Sequence, residues 1–178
     1  GIFAQAPLSE KPAFSRILCL DDSLAAPGLL SGTNFPTFDQ VLAQQLIHRP
    51  GNPPVIYRAL TPESAASEAY NPMLKLAQVS LIDVMPDELI ILSLGLKEML
   101  ASQDLAVFER QMATLCDVLA VTRHCRLMLV TPPPYPQNAD RIRPFAAVIK
   151  KVADARCIPV ADLFTAFNGR GSDLPALF

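Results

Sequence analysis

Ser23 stands behind two aspartates, Asp21 and Asp22, directly after the apolar run Arg16–Leu20. A serine hydroxyl becomes a nucleophile when a base takes its proton, and the usual base is a histidine oriented by a carboxylate. The chain holds only two histidines, His48 and His124. The tetrahedral oxyanion formed on attack also needs fixed donors, and loss of one costs about 10²–10³ in rate. Gly95 and Lys97, within Gly95-Leu96-Lys97-Glu98, follow a second apolar run and offer an N–H and a cation. A flexible ammonium is a different device from a fixed amide. Thr131 opens the tract Pro132-Pro133-Pro134-Tyr135-Pro136, Asp162 follows another apolar run, and Asp173 lies close to the end.

Each of these residues also has a plainer use. Asp22 and Ser23 suit a turn or a helix N-cap. Gly95 suits a left-handed turn, and Lys97 and Glu98 the solvated start of a short helix. Asp162 is expected to cap a segment Leu163–Phe167. The four cysteines, Cys19, Cys116, Cys125 and Cys157, form no C-x-x-C pair and read as buried free thiols. Cys116, His124 and Cys125 come nearest to a metal set, but adjacent ligands at 124 and 125 fit no common zinc spacing. Gly169 and Gly171 lack a third glycine, since Leu174 stands there, and no phosphate-loop signature occurs. No metal and no cofactor are expected.

The elements that must position these groups are legible as five Ile/Val/Leu-rich runs: Arg16–Leu20, Val55–Ala59, Glu88–Ser93, Arg126–Thr131 and Cys157–Ala161. Runs apolar on both alternating faces suit strands buried between two layers. Helical patterns alternate with them. Phe38, Val41, Leu42 and Leu46 follow the capping-box signature Thr37-x-x-Gln40. Thr61-Pro62 reads as an N-cap with proline at the first helical position. Leu105, Phe108, Met112, Leu115 and Leu119 form one stripe, and Phe145, Val148, Ile149 and Val152 another. The alternation predicts an α/β fold, a three-layer α/β/α sandwich around a five-stranded parallel sheet of flavodoxin-like type. Ligands of such sheets bind outside the carboxyl ends of the strands. Asp22, Ser23, Gly95, Lys97, Thr131 and Asp162 all follow strands, whereas His48 ends a returning helix and His124 precedes a strand, at the opposite edge.

At 178 residues the chain fits one domain over 1–178, with an extended segment over 1–14. It is 51% hydrophobic and 18% charged, against roughly 25% charged in ordinary domains, which excludes intrinsic disorder. A net charge of −2 and a pI of about 5.6 give no electrostatic footprint for nucleic acid or an anionic membrane. No apolar run approaches the ~20 residues of a spanning helix. Gly1 heads the chain, and Phe3-Ala4-Gln5-Ala6 is compatible with the tail of a signal-peptide cleavage site. The compartment stays open.

Taken with their element order, these motifs resemble the SGNH or GDSL family of ester hydrolases. Asp21-Asp22-Ser23-Leu24 is similar to the family's G-D-S-L block, with aspartate in place of glycine. Gly95-Leu96-Lys97-Glu98 is similar to its G-x-N-D block, with Lys97 for asparagine and Glu98 for aspartate. The T-P-P-P tract from Thr131 and the P-V-x-D-L-F stretch Pro159–Phe164 resemble its fourth and fifth strand exits. The resemblance implies Ser23 as nucleophile. It implies oxyanion donors from the Ser23 N–H, from a glycine N–H after strand two, and from the third block's asparagine side chain, where this chain has Lys97. Here residues 59–63 contain no glycine, and Pro62 has no N–H. The family's D-x-x-H is met by Asp173-Leu174-Pro175-Ala176, with alanine for histidine, or follows Phe178. Three functions come into view. One is a serine ester hydrolase acting on small acyl or carbohydrate acetyl esters. Another is a degenerate relative binding a ligand or a protein partner without turnover. The third is a receiver-type phosphoacceptor, suggested by Asp21-Asp22 and Thr131 but lacking an aspartate after strand three and a lysine after strand five.

Overall fold

A computed structural model describes residues 14–21, 38–47, 53–59, 85–122, 124–134 and 139–168. The five apolar runs become five parallel strands: β1 (Ile17–Asp21), β2 (Val55–Ala59), β3 (Leu89–Ser93), β4 (Arg126–Val130) and β5 (Val160–Ala161). Their order across the sheet is β2-β1-β3-β4-β5. The register sets Asp21 against Ala59 and Ser93, Ser93 against Val130, and Val130 against Ala161. One row thus marks the carboxyl edge.

Between strands run α1 (Phe38–Leu46), α2 (Leu96–Leu100), α3 (Leu105–Asp117), α4 (Ala139–Asp154) and α5 (Leu163–Asn168). Strand side chains alternate between two apolar clusters, as a period of two requires. Leu18, Leu20, Ile90, Leu92, Leu127 and Leu129 face α3 and α4, where Phe108, Met112, Phe145 and Ile149 are buried against them. Ile17, Cys19, Ile91 and Val130 face the other way, toward Leu42 and Leu46 of α1 and Leu163 of α5. Helices therefore cover both faces, as the alternation of patterns predicts. Each such side chain contributes about 1.5–3 kcal/mol through removal from water.

Asp104 caps α3 by accepting from the Val107 N–H at 3.0 Å. The predicted stripe is buried from Phe108 onward, but Leu105 in the first turn is exposed. Leu119 falls beyond α3 in a π-helical turn, Val118–Thr122, and is still buried. The stripe of α4 is buried throughout. Pro144 sits in its second turn, where the missing N–H leaves the Asp140 carbonyl without its helical donor.

Two expectations fail. The fifth run yields only two strand residues, because Cys157 is left-handed at φ 53° and Pro159 has no N–H for the ladder. Cys157 is accordingly exposed, while Cys19, Cys116 and Cys125 are buried; all four are free thiols. Thr37, Thr61-Pro62 and residues 1–13 lie outside the described residues. No described helix is long and apolar enough to cross a membrane.

Candidate functional site

The central strands β1 and β3 end side by side, Asp21 beside Ser93. The chain leaving β1 toward Asp22 and Ser23 thus starts beside the chain leaving β3 toward Gly95 and Lys97. Asp22, Ser23, Asp173 and His48 themselves lie outside the described residues.

Gly95 adopts φ 112°, ψ −20° as the N-cap of α2. A Cβ here would stand 3.4 Å from both Ile149 Cδ1 and Pro132 Cγ and 3.6 Å from Phe108 Cζ. The glycine therefore satisfies both a left-handed backbone and a close approach of three elements. Its N–H donates to Glu98 Oε2 at 2.8 Å. Glu98 is 2% exposed, which corrects the reading of a solvated helix start. An acid three residues into a helix accepts the N-cap N–H, half of a capping box, and Gly95 has no side chain to return the bond. The spacing Gly95-x-x-Glu98 was the available signal for this. With its N–H engaged by Glu98, Gly95 is not an open oxyanion donor. Lys97, half-buried in the first turn of α2, takes the position at which the resemblance asks for an amide.

Thr131 and Asp162 lock the exits of β4 and β5 together. Thr131 is fully buried, donates from Oγ1 to Asp162 Oδ1 at 3.0 Å and accepts from the Phe164 N–H at 3.0 Å. Asp162 Oδ1 also accepts from the Thr165 N–H at 3.0 Å, and Oδ2 accepts from Lys150 Nζ at 2.8 Å and Thr165 Oγ1 at 2.6 Å. Burial alone would raise this carboxyl. The bonds from Lys150, Thr165 and Thr131 outweigh it and hold the group well below the usual carboxylate range. Asp162 is thus the expected cap of α5, committed on both oxygens, and Lys150 is a partner no sequence motif announced. Pro132, Pro133 and Pro134 are buried, and Pro132 packs against Gly95. They wall the edge beside α2.

His124 is exposed, left-handed at φ 57°, and precedes β4 at the amino edge. A strand of five residues separates it from the carboxyl edge, about 16 Å at ~3.3 Å per residue. Among the described residues no imidazole reaches the carboxyl edge. Burial pushes the Cys116 thiol up to about 11, against a lowering by Arg156 and with a smaller rise from Asp117, so it stays protonated at neutral pH. No group of three or more metal-ligating side chains occurs among the described residues.

No family model matches the chain, and no curated protein matches it. Solved structures do. The SGNH-hydrolase family esterase AlinE4 superposes with a TM-score of 0.66 at 19% identity, over 92% of this chain and 82% of that one. The acetyl xylan esterase AlAXEase gives 0.61 at 16%, over 91% and 83%. Est24, a carbohydrate acetylesterase from Sinorhizobium meliloti, gives 0.55 at 16%, over 84% of each chain. At these identities the likeness establishes the architecture: the chain has the SGNH-hydrolase fold.

Proposed function

We propose that the carboxyl edge of the sheet is a small-ester site of SGNH type centred on the Ser23 hydroxyl. Its ligands are small acyl or carbohydrate acetyl esters, and residues 1–178 hold them without hydrolysing them unaided. The observation that carries this reading is the side-by-side ending of β1 and β3, Asp21 beside Ser93, since Ser23 follows the first exit by two residues in sequence and Gly95-Leu96-Lys97-Glu98 follows the second. Structural neighbours named as esterases support an ester as the ligand class, and the parallel topology points to the carboxyl edge as its place.

The chemistry of the edge argues for binding over turnover. Attack by Ser23 would join its Oγ to the acyl carbon and place negative charge on the carbonyl oxygen, while the hydroxyl proton passes to a base. His124 stands at the other edge, and both oxygens of Asp162 are held in the α5 cap. The Gly95 N–H is bound to Glu98. Lys97 supplies a cation for a carbonyl or carboxylate oxygen of the ligand.

A fluorophosphonate probe is expected to leave Ser23 unmodified, and p-nitrophenyl acetate to hydrolyse at the buffer rate. Saturable amide shifts at Ser93 and Gly95 on addition of an acetylated sugar are the expected sign of binding. Stoichiometric labelling that disappears in Ser23→Ala would overturn the absence of turnover. Unshifted amides at both positions would overturn the ester site.

A further inference from the structure

The two-residue length of β5 leaves a gap beside the first residues of β4, at the amino edge of the sheet. β5 begins only at Val160, so Arg126, Leu127 and Met128 have β3 on one side and, among the described residues, no strand on the other. The Arg126 N–H donates to the Glu88 carbonyl toward β3, whereas the Leu129 and Thr131 N–H groups donate to the Pro159 and Ala161 carbonyls toward β5. Alternation turns the Leu127 N–H and C=O toward β5 as well. Pro159 has no N–H to give there, and among the described residues no carbonyl accepts from Leu127. A cavity of about 430 Å³ opens at this gap, lined by Phe14, Leu89, Ala120, Met128 and Ile158, with Arg126 and Cys157. That volume lies within the ~300–1,000 Å³ of small-molecule sites.

The charges around it are unequal. Glu88, 3% exposed, is neutralised by Arg16, with Nε 2.6 Å from Oε1 and Nη2 donating to Oε2 at 2.8 Å, and it also accepts from the Met85 N–H at 3.0 Å. Arg126 has no carboxylate partner among the described residues, and its guanidinium is held 5.5 Å from the Phe14 ring centroid. We propose that this groove binds an aliphatic carboxylate. The head group takes hydrogen bonds from the Arg126 guanidinium and the Leu127 N–H, and the alkyl chain lies on the apolar lining. An ionised head suits a guanidinium by charge and by its paired oxygens.

Cys157 reports on occupancy, because it is exposed on the groove while the other three thiols are buried. Octanoate is the probe. It is expected to slow iodoacetamide alkylation of Cys157 saturably, read by peptide mass. 1-Octanol, with the same chain and no charge, needs about tenfold more, and Arg126→Gln raises the half-protecting octanoate concentration about tenfold. Arg126→Lys falls between. Protection unchanged in Ser23→Ala supports a site separate from the ester edge. An alkylation rate indifferent to octanoate, equal potency of octanol, an unaltered Arg126→Gln, or loss of protection in Ser23→Ala would each overturn it.

Discussion

Gly95 and Asp162 show how single residues fix the two turns of the carboxyl edge. An alanine at 95 must hold φ 112° and push its Cβ against Pro132, Ile149 and Phe108. Gly95→Ala is expected to lower the unfolding free energy by about 1–3 kcal/mol in urea titrations, and to shift the Lys97 amide as α2 readjusts. Asp162 carries a pH signature. Its carboxyl is depressed in the folded protein, so its stabilisation is complete above the ordinary value of ~3.9 and fades as pH falls through the folded-state value. Asp162→Asn is therefore expected to be less stable by about 1–2 kcal/mol at pH 7. The gap to the parent closes as denaturation is followed into acid. A gap constant with pH would remove the charge from the account.

Among elements, α3 and α4 carry the core beneath the site. The Phe108 and Phe145 rings sit 5.2 Å apart at 54°, a tilted contact joining the two helices beside Gly95. Phe108→Ala is expected to cost about 3–5 kcal/mol in chemical denaturation, since the ring is fully buried and its neighbours belong to three elements. This layer was plain in the sequence because burial writes itself as periodicity. Ile90, Leu92, Leu127 and Leu129 announce doubly covered strands, and Phe145 to Val152 announces a helix face. What escaped was decided by backbone conformation or by pairing at a distance. Nothing at Cys157 itself signals a left-handed residue that delays the start of β5. The burial of Glu98 depends on how α2 meets the sheet, and Lys150 reaches Asp162 across twelve residues from another element. The row of strand exits that holds the candidate site was legible, because topology alone fixes that row. Its hydrogen-bond partners were not.

At the scale of the whole molecule, the two outermost strands differ in what they offer to other chains. The Pro159 and Ala161 carbonyls point inward to β4, which leaves the outward backbone of β5 as Val160 alone. A margin one residue long cannot template the addition of a further strand, whatever its side chains. On the far side the Pro54 carbonyl is taken by the Ile17 N–H, and the same alternation turns the backbone of Val55, Tyr57 and Ala59 outward along β2. Among the described residues, sheet extension has one direction with more than a single outward residue, and it runs through β2.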